Sequence, residues 1–441
     1  MQQAVQNTPS PLERHLTVSV AIAEIEAEIA TRLKKLARTV KMQGFRPGKV
    51  PLKMVERHYG FQVRQEVLSD GVQRSFEEAV KSQNYRVAGY PRFQPVAPAA
   101  PDAPQPSGNI EYTATFEVYP EIVFADISTR GIERPVTDVR DENVESTLRT
   151  VRRQRAKYNR VERAAANDDL VNVDFEGLIA GQPFEGNKAS NFTIVLGEQK
   201  MLPAFEEALV DMKAGETRTF PLVFPQDYNE QLRGKTADFT VTLNQVAEPE
   251  LPAVDADFAR ALGVQDGDVE RLRSEVRENI TKEVAKRIKA MLKEQVMQAL
   301  LETASFEVPR ALLDAEIAGM QKAAVEDLKS RGMTTQDLTL PADLFVERAT
   351  RRLKLYLLVT ELARRNGLQA RPEQVRKVIE EHADSYEKPE ELIRWYYAER
   401  GRLAEVEALV MEDNVVEWAL GKMQVADKPT AFEDLMGTRK A

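Results

Sequence analysis

Cysteine is absent from the 441 residues. That lack excludes disulfide frameworks, thiolate nucleophiles, dithiol redox chemistry and zinc–thiolate clusters, and it fits a reducing compartment. Histidine is nearly as scarce. His15, His58 and His382 stand alone, with no second histidine or carboxylate at a spacing such as HExxH, so no metal and no cofactor is expected. Long hydrophobic runs are missing as well. The densest stretch, Leu353 to Leu362, is broken by Lys354, Thr360 and Glu361, well short of the roughly eighteen unbroken residues of a membrane span. Residues Met1 to Ser10 are polar and lack a basic then apolar leader pattern, which predicts a cytosolic protein. Neither GxSxG nor GxGxxG occurs. The run Gly181 to Gly186 starts like a phosphate loop, but Asn187 stands where lysine is required, so nucleotide binding is not expected.

What is present is a globular composition, 42% hydrophobic and 30% charged with a net charge of −9, enough for about three domains. Leu16, Val18 and Val20 alternate with polar residues, then Ile22, Ile25, Ile29, Leu33, Leu36 and Val40 take helical spacing. Two more helices are predicted, one from Pro51 to about Gly60 and one from Val67 to Val80. A strand follows at Ile110 to Val118, so the first unit reads as α+β. Between them Pro95 to Gly108 carries five prolines and reads as a loop or hairpin tip. A connector from Pro120 to Arg163 holds a charged helix with Val144, Leu148 and Val151 as its apolar positions.

From Asp168 to Val246, alternating runs between glycines predict a compact β-rich domain with one short helix, Ala204 to Met212. Beyond Pro252 helical periodicity takes over: Asp268–Thr303, Pro309–Lys329, Pro341–Asn366, Pro372–Ser385, Pro389–Arg400 and Leu403–Met423. That unit reads as all-α. Its methionines Met291, Met297, Met320, Met333, Met411 and Met423 suit either core filling or a surface that takes varied apolar partners.

Charge is distributed unevenly. Thr31 to Arg57 carries nine basic residues against Glu56 alone, a local charge of +8 in an acidic chain. Such a patch suits a polyanion; on charge alone, a solvated helix face with a glycine turn is the favoured account. At its centre Gly44-Phe45-Arg46-Pro47-Gly48-Lys49-Val50-Pro51 forms a tight loop that projects Phe45 and Arg46.

This octapeptide resembles the ribosome-docking signature GFRxGxxP of the trigger factor family of bacterial chaperones. The β-rich segment is independently similar to FKBP-type peptidyl-prolyl isomerases, through the ordered blocks around Val173–Gly177, Pro183–Gly186, Phe192–Gly197, Met201–Glu206, Phe224–Tyr228 and Ala237–Phe239. The resemblance implies a multi-domain α+β protein: an α+β ribosome-binding domain over 1–119, a linker or arm over 120–163, an FKBP-like β-rich isomerase domain over 164–248 and an all-α extended chaperone domain over 249–441. It implies ribosome contact through Gly44, Phe45, Arg46, Pro47, Gly48 and Lys49. It also implies a catalytic pocket lined by Phe175, Phe184, Glu185, Phe192, Met201, Leu202, Phe205, Tyr228 and Phe239, with the Leu202 amide as donor to the substrate. The implied partners are the large ribosomal subunit near the exit tunnel, through its protein and RNA, and nascent or unfolded polypeptides. The implied protein is ATP-independent, cytoplasmic and partly ribosome-associated, with no membrane partner and a homodimer off the ribosome. A soluble prolyl isomerase without ribosome association is the rival reading.

Overall fold

The computed structural model describes residues 10–43, 45, 50–96, 108–198, 200–333, 340–384 and 386–437. The chain divides into two compact units assembled from separated stretches, 1–134 with 291–426 and 135–290 with 427–441.

In the first unit, β1 (Glu13–Ala21) leads into α1 (Ile22–Thr39) and α2 (Leu52–Ser82), followed by β2 (Val87–Pro95) and β3 (Asn109–Val118). The strands form an antiparallel sheet with β3 central. Its inward residues Val18, Val20, Ala114 and Phe116 pack against Ile25, Ile29 and Leu33 of α1 and against Val55, Val63, Val67, Val72 and Phe76 of α2. The helix break expected at Gly60 is absent; α2 runs unbroken for 31 residues. A glycine inside a helix costs about 1 kcal/mol, and the buried stripe on both sides of Gly60 outweighs it. A second glycine in α2 has a packing role. A Cβ at Gly71 would lie 2.7 Å from Ile25 Cδ1 and 3.3 Å from Val20 Cγ1, so glycine permits the close approach of α2 to β1 and α1. Most of the proline-rich loop, residues 97–107, lies outside the described residues; its ends continue the β2–β3 pair.

The connector contains β4 (Val123–Phe124), a 3₁₀ turn (Ile127–Thr129), β5 (Gly131–Val136) and α3 (Asp141–Gln154). The second unit then builds β6 (Lys157–Val161), β7 (Leu170–Leu178), β8 (Lys188–Val195), α4 (Pro203–Leu209), β9 (Thr217–Val223), β10 (Thr236–Glu250) and α5 (Ala256–Ala261). The long β10 is the spine of a five-stranded antiparallel sheet, with β7 then β8 on one side and β9 and β6 along the other. Alternation puts Val171, Val173, Phe175, Phe239, Val241 and Leu243 on one face, where α4 adds Phe205 and Leu209.

The remaining elements are α6 (Val269–Thr303), β11 (Ala304–Ser305), α7 (Arg310–Ser330), α8 (Asp343–Asn366), α9 (Pro372–Ala383), α10 (Pro389–Tyr397), α11 (Arg400–Leu420), β12 (Gln424–Pro429) and α12 (Phe432–Met436). The expected helices are present, and Gly367 ends α8 in the left-handed conformation, φ +67°, the geometry glycine tolerates best. The all-α expectation is incomplete, because β11 pairs with β4 and β12 adds a strand with every residue exposed. Met297, Met320 and Met423 are buried, whereas Met291 and Met333 are exposed together with Leu344, Tyr356, Tyr386, Trp395, Tyr397 and Leu409. Helix α10 buries none of its residues. Among the described residues no helix is long and apolar enough to cross a membrane.

Candidate functional site

The concave face of the five-stranded sheet and α4 enclose a cavity of about 520 Å³. Phe175, Phe184, Glu185, Met201, Leu202, Phe205, Tyr228 and Phe239 all line it. Phe192 does not. It stands one layer out, edge-on to Phe175 at 5.8 Å. Leu222, Phe224, Asn229 and Leu232 also line the cavity and were missed as site residues. Leu222 was legible, because alternation along β9 turns it inward with Phe220.

The rings brace one another. Phe205, only 1% exposed, forms the floor and meets Phe175 at 5.4 Å and Phe239 at 5.6 Å, both edge-on. Phe184 packs edge-on to Phe224 at 5.8 Å, and Phe224 meets Tyr228 at 5.0 Å. Phe239 sits opposite Gly177 in the β10–β7 register. A Cβ at Gly177 would lie 2.7, 2.8 and 3.0 Å from three atoms of the Phe239 ring, so glycine there makes room for the ring.

Polar contacts fix the frame. Glu206, buried on α4, accepts the N–H groups of Gly197 at 2.8 Å and Met201 at 3.0 Å, which pins the segment that carries Met201 and Leu202. Asp174 accepts the N–H of Asn191 at 2.6 Å; this bond, helped by Asn244, holds its carboxyl below the ordinary value. It ties β8 to β7 where their register shifts between Val173 and Phe175. The Leu202 carbonyl accepts from Phe205 N–H at 2.8 Å. The Leu202 N–H, at the cavity wall, has no partner among the described residues.

Such a site has an apolar floor, a free backbone donor and acidic and phenolic groups only at the rim, where Glu185 and Tyr228 are exposed. Isomerisation of an X-Pro bond breaks no covalent bond and faces a barrier of about 18–20 kcal/mol. An apolar, water-poor surface that favours the twisted amide, with one N–H directed at the substrate, suits that chemistry; a nucleophile is not required.

The second candidate region lies between α1 and α2. Phe45 is 37% exposed, and its N–H donates to Met42 C=O at 3.1 Å. Gly44, Arg46, Pro47, Gly48 and Lys49 lie outside the described residues. Lys34, Lys35, Arg38, Lys41, Lys53 and Arg57 are exposed and make no ion pair among the described residues. Arg32 differs: it pairs with Glu28 at 3.0 Å and Asp70 at 2.7 Å, so its charge is partly spent inside the protein.

A five-stranded sheet closed over a short helix with an aromatic cavity between them is an FKBP-type peptidyl-prolyl isomerase domain, here carried with an α+β N-terminal domain and a helical C-terminal region. Residues 161–244 match the FKBP-type peptidyl-prolyl cis-trans isomerase family. Residues 1–151 match the bacterial trigger factor protein family and 268–421 its C-terminal part. Trigger factor of Azoarcus sp. (strain BH72) is 47% identical over 436 residues, 99% of this chain and 98% of that protein. Those of Aromatoleum aromaticum and Nitrosospira multiformis are each 48% identical, over 99% of this chain and 99% and 100% of theirs. The chain belongs to the trigger factor family of chaperones.

Proposed function

We propose that this chaperone docks on the large ribosomal subunit near the exit tunnel, holds nascent and unfolded polypeptides, and isomerises their X-Pro bonds in the cavity above Phe205. The observation that carries the catalytic part is the gathering of eight of the nine anticipated residues around one 520 Å³ cavity, with a Leu202 N–H that has no partner among the described residues. In this reading Phe205 is the floor, Phe175, Phe184 and Phe239 are walls, and Leu202 N–H is the donor to the substrate. Phe192 acts through Phe175.

Docking is assigned to Gly44, Phe45, Arg46, Pro47, Gly48 and Lys49, supported by the exposure of Phe45 and by cations on both flanking helices that make no ion pair among the described residues. Protein and RNA of the large subunit are the surfaces met. Clients are held on the helical region, supported by its exposed Leu, Met and aromatic side chains. Domain limits near residues 119, 163 and 248 complete the reading. The family likeness supports a cytoplasmic protein that is partly ribosome-associated and dimeric off the ribosome.

The test compares co-sedimentation of the native chain and a Phe45→Ala, Arg46→Ala, Lys49→Ala variant with purified large subunits. Binding lost in the variant, with peptide isomerisation unchanged, is the expected result. Binding retained by the variant removes the docking assignment, and no binding by the native chain leaves a soluble isomerase.

A further inference from the structure

Strand β5 has one edge that is only half satisfied. The Arg130 carbonyl accepts the N–H of Gln424, first residue of β12, at 3.0 Å. The Gly131 N–H belongs to the same trans peptide unit and therefore points the other way. On that other side lies Gln295 of α6. Its Oε1 accepts Glu133 N–H at 3.0 Å and its Nε2 donates to Glu133 C=O at 2.8 Å. The glutamine amide thus pairs with Glu133 as the peptide group of a neighbouring strand would.

Gly131, two residues earlier on the same edge, has no such partner. In the two-stranded β5–β12 sheet its N–H and C=O fall on the side away from β12, where no hydrogen bond to a described residue is seen, and nothing lies within 4 Å of where its Cβ would stand. Both groups face a cavity of about 570 Å³ lined by Gly131, Ile132, Met291, Gln298 and Arg351. The polar lining is mostly engaged with itself. Arg130 pairs with Glu302 at 3.2 Å, Arg351 donates to Gln298 at 2.6 Å, and Gln298 donates to Glu302 at 3.0 Å. What remains available is a backbone donor and acceptor, the exposed side chain of Met291 and the exposed carboxylate of Glu294, which makes no ion pair among the described residues.

An unpaired strand edge beside a groove is a template for another strand. We propose that this edge is a docking site for an extended polypeptide segment of neutral to basic character, which adds to β5 as a short strand. Main-chain hydrogen bonds at Gly131 supply affinity that does not depend on sequence. Met291 takes an apolar side chain, and Glu294 favours a lysine or arginine. The proposal rests on the nascent-chain reading above and gives it one defined contact.

The test uses the full-length protein and a fluorescein-labelled peptide of alternating Val, Thr and Lys, with a twin peptide N-methylated at alternate backbone amides. Fluorescence anisotropy is expected to give about fivefold weaker binding of the twin, and of the unmodified peptide to Gly131→Pro, as suits the loss of one hydrogen bond. The proline is compatible with the strand, because Arg130 before it is already extended at φ −84°, ψ 128°. Gln295→Ala removes the side-chain amide that occupies this edge beside Gly131 and is expected to tighten binding; this result does not depend on Gly131→Pro folding well. Equal affinity for both peptides, with no change in either variant, overturns the edge site and leaves client binding intact. No binding of either peptide by the native chain overturns the nascent-chain reading itself.

Discussion

Replacing Gly177 by alanine sets two effects of opposite sign against each other. A glycine to alanine change in an unstrained strand stabilises by about 0.4–1 kcal/mol, because the unfolded chain loses freedom. Gly177 has no left-handed backbone to forbid it. The new methyl, however, would sit 2.7 Å from Phe239 Cε1 and 2.8 Å from Cζ, roughly 1 Å inside an ordinary carbon–carbon contact. The ring cannot swing away freely, since Phe239 is 5% exposed and held by Phe175, Phe205 and Phe220 at 6.0, 5.6 and 6.4 Å. Overpacking of this kind costs about 1–3 kcal/mol, so the net change is destabilising by up to about 2.6 kcal/mol. Any displacement of the ring toward the cavity also narrows it. A fall of about tenfold in kcat/KM on a proline-containing peptide is expected, corresponding to about 1.4 kcal/mol at the transition state. Stopped-flow isomerisation and urea unfolding of the same preparation measure both quantities. A variant as stable as the native protein or more so, with unchanged turnover, would refute the argument that glycine is there to seat Phe239.

Two further substitutions probe the cavity wall and a buried carboxylate. Phe184→Ala removes a cavity wall and is expected to lower kcat/KM by about tenfold or more, whereas Phe192→Ala acts only through Phe175 and should cost about two- to threefold; equal losses in the peptide assay would deny this boundary of the site. Glu361 is 8% exposed, and hydrogen bonds from Arg364 and then Arg365, against the opposing effect of burial, bring its carboxyl down from 4.5 to about 2. A depressed carboxyl stabilises the fold fully above its unfolded value and loses that contribution as pH falls from about 4.5 to about 2, an effect of up to about 3 kcal/mol. The stability difference between the native chain and Glu361→Gln, followed by urea unfolding, should therefore shrink across that window; a constant difference would contradict it.

Much of this architecture was legible because period-two and period-3.6 patterns are enforced by burial. The alternation in β7 and β10 identified the sheet face, and Pro309, Pro341, Pro372 and Pro389 marked helix starts to within two residues. The short strands were not legible. β4 and β11 have two residues each, and β12 has the run Gln-Val-Ala-Asp-Lys-Pro with no buried position, so backbone pairing alone defines them and no side-chain pattern records it. The cavity was read from its aromatics, which is why Phe192 was included and Leu222 and Leu232 were not. An aromatic one layer behind a wall has the same sequence signature as the wall.

Glycine shows most clearly what a sequence leaves out. Gly60 lies in the first third of α2 with only the Glu56 side chain near its missing Cβ, at 3.5 Å, while Gly71 in the same helix faces Ile25 at 2.7 Å and Gly177 faces Phe239 at 2.7 Å. As letters these three are equivalent, and each invites the same inference of a break or turn. Their roles are set by what lies opposite: solvent side chain, packed helix, cavity-lining ring. Gly131 is a fourth case, with open space and a free peptide edge. A side chain there would still leave the N–H in place, which is why the decisive substitution at that position is proline and not alanine.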